Sequence, residues 1–206
     1  MLEEKRITDR ISYIVSGEAP LSAEVGVIRG NLFLCLLDVG NGDGTLKAIK
    51  NINGGRNVVL SHFHKDHVAN LNYMNYQKVY ASPYTCKHLK VESDYMGEFN
   101  IEDGVKIRIF DLPSSHAKGC VAMEIDGTYC FVGDAIYSAS KDGKPFYNAV
   151  VLKAEINVLK SIRSKYLLIS HSEPFMRPKD EVIKELEEIY SHRDPHDPSI
   201  FNFDER

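Results

Sequence analysis

No stretch of this chain approaches the roughly 20 consecutive apolar residues of a membrane-spanning helix, which argues against a membrane partner. None of its four cysteines sits in a C-x-x-C pair. Cys35, Cys86, Cys120 and Cys130 are scattered, as reduced and mostly buried thiols are, rather than set out as a disulfide frame. The start, Leu2-Glu3-Glu4, has acids where a signal peptide would have a basic and then apolar run. Both features point to a cytoplasmic protein. A basic excess is missing too. The formal net charge of -4 makes nucleic acid an unsuitable partner for a grip by bulk electrostatics. The glycine-rich loop Asp38-Val39-Gly40-Asn41-Gly42-Asp43-Gly44 lacks the Gly-Lys-Ser/Thr ending of a phosphate-binding P-loop. There is no internal repeat, low-complexity tract or linker, and 206 residues suit one domain, 1–206, better than two.

What is present is the balance of an ordinary soluble globular protein, with 43% hydrophobic and 26% charged residues. Strands are expected at 11–15, 25–28 and 32–37. Gly17 to Pro20 reads as a loop. The turn Arg29-Gly30-Asn31 joins two of these strands, and Gly30 and Asn31 tolerate the positive φ of a tight hairpin. A helix follows from about Thr45 to Asn51, then a buried strand, Asn57 to Leu60. Further strands are expected at 78–81, 105–110, 121–125, 129–132 and 166–169, with Asp126-Gly127 as a hairpin turn. Ser82-Pro83 opens a helix by cap and first-turn proline. Residues 91–104 read as an acidic, irregular surface loop, and the polar segment 138–148 suits a mobile flap. Val151, Leu152, Val158, Leu159 and Ile162 mark one amphipathic helix. Val182, Ile183, Leu186, Ile189 and Tyr190 mark another. The tail from Ser191 reads as extended or loosely held. Alternation of strands and helices makes the fold class α/β.

The chemistry concentrates in Ser61-His62-Phe63-His64-Lys65-Asp66-His67. Three imidazoles and a carboxylate fall within six residues, between an expected strand and a helix marked by Val68, Leu71 and Met74. His62 and His64, two apart in an extended segment, point to one side. Asp66 and His67 project from the helix entrance to a second, neighbouring position. Histidine nitrogen and carboxylate oxygen suit zinc, iron or manganese, and two ligand pairs point to two metals. Taken singly, His-x-His is also common on surface strands, and Asp66 could cap the helix. His88 lies in a lysine-rich helix and reads as solvated, while His192 and His196 fall in the tail and do not read as ligands.

The run His62-Phe63-His64-Lys65-Asp66-His67 resembles the His-x-His-x-Asp-His signature of the metallo-β-lactamase superfamily of metal-dependent hydrolases. The resemblance extends from about Asp38 to His171. It implies an α/β, four-layer αββα sandwich: two mixed β-sheets face to face, helices on the outer faces, metals at one rim. It also implies a further histidine after a strand, met by His116 in Ser114-Ser115-His116, where the family often has Gly in place of Ser115. A bridging carboxylate after a strand is met by Gly133-Asp134, and a last histidine by Ser170-His171-Ser172. By the resemblance, His62, His64 and His116 hold the first metal, and Asp66, His67 and His171 the second. Asp134 bridges them. Asp38, at a strand end as in Asp-x-Gly of the family, would orient a ligand histidine.

These implications amount to a hydrolase with two divalent ions, zinc first and iron or manganese as alternatives. A hydroxide shared by the metals would attack a small-molecule ester, thioester or lactone, with Asp66 assisting proton transfer. The alternatives are a phosphodiesterase or nuclease of the same fold and a non-catalytic metal-binding domain. Tyr137 lies three residues after Asp134, a spacing like that of the superfamily's lactonases, where a Tyr points at the substrate carbonyl. Its other reading is a ring packed beneath the flap. Nothing in the residues sets the oligomeric state.

Overall fold

The computed structural model describes residues 2–95 and 97–201. The first half of the chain builds one sheet. Its elements in order are β1 (Glu4–Arg6), β2 (Ile11–Ile14), β3 (Gly17–Glu18), β4 (Leu21–Ser22), β5 (Val25–Arg29) and β6 (Leu34–Leu37). Then come α1 (Gly42–Asn51), β7 (Arg56–Val59), α2 (Lys65–Val68), β8 (Lys78–Tyr80) and α3 (Pro83–Leu89). The sheet order is β1-β2-β5-β6-β7-β8, and β7 runs parallel to both β6 and β8. β3 and β4 form a separate small hairpin where a plain loop was expected.

The second half builds the other sheet. It contains β9 (Phe99–Glu102), β10 (Lys106–Asp111), β11 (Val121–Ile125), β12 (Tyr129–Gly133), β13 (Ala139–Lys141) and β14 (Lys144–Asn148). It continues through α4 (Ala149–Ser161), β15 (Tyr166–Ile169), β16 (Met176–Pro178), α5 (Lys179–Ser191) and β17 (Ser199–Ile200). The sheet order is β16-β15-β12-β11-β10-β9, with β12 and β15 parallel.

Strand periodicity explains the layering. In β6 and β7, Cys35, Leu37 and Val59 face the second sheet, while Leu36 and Val58 face outward to Ala48 and Ile49 of α1. In β11, β12 and β15, Met123, Phe131 and Leu168 face the first sheet, while Ala122, Val132 and Leu167 face α4 and α5. Both sheets are therefore apolar on two faces, and the architecture is the four-layer αββα sandwich expected of the chain.

Several local expectations are corrected. The helix after the histidine cluster is not continuous: α2 has four residues, and Leu71–Tyr73 forms a separate 3-10 turn. Asn70 ends the helix by turning its amide to the neighbouring loop, donating to the carbonyls of Val39 (3.1 Å) and Gly42 (3.2 Å). Val68, Leu71 and Met74 are all buried even so, which is why their spacing mimicked one helix. Neither Gly30 nor Asn31 uses positive φ. Gly30 is instead a matter of space, since a Cβ there would lie 1.9 Å from Asp103 Oδ2. That carboxylate accepts from the backbone N–H groups of Leu32 and Phe33.

The segment 91–104 holds the edge strand β9 and a buried Tyr95, which donates to Asp111 at 2.8 Å; Met96 lies outside the described residues. The flap 138–148 is the hairpin β13–β14. The tail is docked: Tyr147 pairs with Ile200, and Ile200 is buried. Residues 202–206 lie outside the described part.

Candidate metal centre

Five chain segments end at one edge of the two sheets, and each delivers a polar side chain there. β7 leads into Ser61, His62 and His64, and α2 carries Asp66 and His67. The β10–β11 connection carries His116, the end of β12 carries Asp134, and the end of β15 carries His171. A helix of four residues has little stability of its own, and α2 is held by its neighbours' backbone. Ala23 N–H donates to the Asp66 carbonyl at 3.0 Å, and Val39 and Gly40 N–H both donate to the His67 carbonyl at 2.9 Å. Val121 N–H donates to the Ser61 carbonyl at 2.8 Å, tying the two sheets together beside the site.

The side chains gather in two groups. His62, His64 and His116 form one, and Asp66, His67, Asp134 and His171 the other; within each, the potential ligand atoms lie within 4.8 Å of one another. In the first, His64 Nδ1 is 2.9 Å from His62 Nε2 and 3.0 Å from His116 Nε2. In the second, His171 Nε2 is 3.0 Å from Asp66 Oδ2. Asp134 Oδ2 lies 3.2 Å from His67 Nε2 and 3.5 Å from His116 Nε2, so it faces both groups. All seven residues singled out as ligands are thus in one place. Asp66 is inside α2 rather than at its cap: the N-cap position is His64, without a side-chain capping bond.

The far nitrogens of three rings are fixed by other partners. His67 Nδ1 donates to Asp38 Oδ2 at 2.7 Å. His116 Nδ1 donates to the Ser138 carbonyl at 3.1 Å. Ser61 Oγ donates to Asp38 Oδ2 at 2.7 Å and so accepts from His62 Nδ1 at 3.0 Å. With Nδ1 engaged in this way, the neutral form of each ring would present its Nε2 lone pair to the site, the form that binds a metal. Asp38 also accepts from Ser61 N–H at 2.7 Å, so it braces both the β7 end and His67. The close approach of β12 requires glycine at 133: its φ is +56°, and a Cβ would lie 2.7 Å from Ser61 Oγ.

Electrostatics divides the groups. Burial and then the surrounding imidazoles push His62 far down; burial and then His116 lower His64. Burial also opposes charge on His67, but Asp38 and Asp134 outweigh it and lift the imidazole well above its ordinary value. His171 is raised by its hydrogen bond to Asp66. Burial would raise Asp66, yet His171 and His67 hold it below the usual carboxylate range. A field that draws protons onto two imidazoles favours a dication equally.

Two buried atoms in the second group, His67 Nε2 and Asp134 Oδ1, have no hydrogen-bond partner. Buried polar atoms are rarely left so, and an ion between them would account for both. The donor set of nitrogen and carboxylate oxygen fits zinc, iron or manganese.

Other residues take different places. Tyr137 lines the site's pocket, and its hydroxyl donates to the Ser170 carbonyl at 2.8 Å. Burial, followed by the charge of Asp134, raises that phenol to about 12. Cys120 is buried at the start of β11, its thiol pushed up to about 12 by burial. His88 is exposed on α3 and stacks on Phe63 at 4.2 Å. Sequence reasoning missed Glu24, whose Oε2 accepts from His171 N–H at 3.0 Å and fixes a residue with φ of 59°. Nothing in the local sequence marks a glutamate 147 positions away as that partner. It also missed the pocket wall formed by α5, whose apolar stripe reads only as core.

No family model matches the chain, and no curated protein matches it in sequence. Solved structures do. DIM-1 metallo-β-lactamase is 18% identical with a TM-score of 0.71, covering 92% of this chain and 97% of that one. A metallo-β-lactamase superfamily protein of the archaeon Sulfolobus tokodaii is 17% identical with a TM-score of 0.59, covering 83% and 81%. A variant of the flavo di-iron protein of Thermotoga maritima is 14% identical with a TM-score of 0.69; this chain, matched over 92% of its length, spans 62% of that one. Two facing sheets flanked by helices, the edge that gathers the seven His and Asp side chains and these likenesses lead to one assignment: the chain has the metallo-β-lactamase fold.

Proposed function

We propose that the chain hydrolyses a small ester, thioester or lactone with the help of two divalent cations, zinc first and iron or manganese as alternatives. The observation that carries this reading is the position of Asp134, whose Oδ2 faces His67 Nε2 at 3.2 Å and His116 Nε2 at 3.5 Å. His62, His64 and His116 would hold one cation, Asp66, His67 and His171 the other, and Asp134 both. Cations held in this way supply a water acidified towards neutral pH and a polarised carbonyl.

The chain's own residues do the rest. Asp38, Ser61 and the Ser138 carbonyl fix three rings with Nε2 directed inward. In this reading Asp66, kept ionised by His171 and His67, would take the proton of the attacking water and return it to the leaving group. Tyr137 holds the Ser170 carbonyl and with it the turn that presents His171. A thiol nucleophile is not required, and Cys120 is too buried and too weakly acidic to be one. The test is a panel of ester, thioester, lactone and phosphodiester substrates with metal-loaded protein. The expected result is turnover of a carbonyl substrate that a chelator abolishes and added metal restores. Saturation with metal but no turnover would leave a binding domain, and turnover of the phosphodiester alone would move the reading to phosphodiester hydrolysis.

A further inference from the structure

A pocket of about 440 Å³ opens beside the ligand groups, with His116, Asp134 and His171 in its lining. That size is within the range of small-molecule sites. Part of the lining comes from α5, which contributes Val182, Leu186 and Ile189, and Ile136 lines the pocket as well. Val182 and Leu186 are buried, and their i, i+4 spacing makes one apolar stripe along the helix. A stripe of this kind can grip methylene groups.

The charged residues of the pocket are arranged against anions. Arg177 Nη1 and Nη2 donate to the two carboxylate oxygens of Glu185 at 3.1 and 2.6 Å. A two-point pairing of this geometry occupies one edge of the guanidinium and neutralises it. Glu188 also lines the pocket, so three carboxylates, Asp134, Glu185 and Glu188, accompany one guanidinium.

Resting on the hydrolase reading, we propose that this pocket takes the apolar acyl arm of a neutral substrate. Glu185 acts as a specificity-determining residue: by clamping Arg177 it excludes acyl groups that end in a carboxylate. The reacting carbonyl lies at the end formed by His116, Asp134 and His171, and the arm runs along α5.

Binding and turnover are measured separately. Zinc-loaded protein is titrated by calorimetry with straight-chain primary amides from acetamide to decanamide, neutral carbonyl compounds of graded length. Affinity rises roughly three- to fourfold per methylene until the pocket is full, then levels. The monoamide of suberic acid, which matches octanamide in length but ends in a carboxylate, binds at least tenfold more weakly. Glu185→Gln frees Arg177 and brings the two ligands within threefold of each other. Ile189→Trp, at a half-buried wall position, fills the pocket and removes the length dependence. Should that variant fail to fold, Glu185→Gln, at a partly exposed position, decides alone.

The matching p-nitrophenyl esters should follow the same order in kcat/KM. Binding that ignores chain length, or a wild-type preference for the carboxylate-ended ligand, overturns the proposal. In that case turnover of any carbonyl ester keeps the hydrolase reading. Length-dependent amide binding without turnover of any ester, thioester or lactone keeps the pocket assignment and overturns the hydrolase.

Discussion

The trio His62, His64 and His116 contains no carboxylate, whereas the group of Asp66, His67, Asp134 and His171 contains two. Burial and mutual repulsion depress the imidazoles His62 and His64, and carboxylates lift His67 and His171. The first position thus offers nitrogen lone pairs in a setting poor in negative charge, and the second offers charge as well. The difference assigns a specific part to Asp134. It is the carboxylate that reaches from the second group to the first, 3.5 Å from His116.

Removing that link should have the largest effect. Asp134→Ala is expected to lower turnover more than about a hundredfold, beyond the 10–100-fold usual for a residue that only orients a ligand. Metal titration should show the trio weakened along with the second group. Loss confined to the second group would break the idea that one carboxylate serves both.

Asp38→Asn tests the second group alone. Asp38 bonds His67 but none of the trio's rings directly. Metal affinity there should fall about 10–100-fold, with the affinity of the trio nearly unchanged, as read by competition with a chromophoric chelator. Equal losses at both positions would mean that Asp38 holds the whole edge through Ser61.

Tyr137→Phe should do less, a few-fold loss in turnover, because it deletes one hydrogen bond, worth about 0.5–1.5 kcal/mol. The positioning role predicts that second-group metal affinity declines with activity. A drop in kcat and kcat/KM together at unchanged metal affinity would instead place the hydroxyl on the substrate.

The smallest effect on activity should come from Glu155, the acid that the site does not use. It is fully buried in α4, and neither carboxylate oxygen has a hydrogen-bond partner. Burial raises its carboxyl well above 4.5, so the folded chain holds this proton to higher pH than the unfolded chain does. The unfolded state then binds fewer protons, and this group's contribution to stability falls as pH rises from 4.5 towards the folded-state value. Glu155→Leu should raise stability at pH 7 by about 1–3 kcal/mol. The gain should shrink as pH falls towards 4.5, where the acid is protonated in both states and only the cost of its unpaired polar atoms remains. Thermal melts across that range provide the check, and a gain independent of pH would show that packing, not ionisation, was the cost.

The legible parts of this molecule are those governed by neighbours in sequence. The strands β6, β11 and β12 could be anticipated as short apolar runs because both of their faces are buried, whereas the four layers were implied only by the family resemblance. Asp126-Gly127 announces its turn because both residues adopt positive φ, 50° and 58°. His62, His64, Asp66 and His67 form a recognisable group because six residues hold them all. His116, Asp134 and His171 stood out only beside that resemblance; each alone is an ordinary loop residue.

What could not be read depends on distant partners. Asn70 stops α2 through carbonyls at Val39 and Gly42, and Glu24 fixes His171 from the loop between β4 and β5. The docked tail depends on a three-strand sheet that forms only when β13, β14 and β17 meet. Glu155 looked like one polar position on an amphipathic helix, and only the packed structure reveals its isolation.

The most direct test is the metal content of the protein purified without chelator and then saturated with zinc, measured by elemental analysis against amino-acid quantitation. Two ions per chain is the expected result, one for each ligand group. One ion per chain, unchanged by excess metal, would contradict a dinuclear centre and the place of Asp134 between its halves.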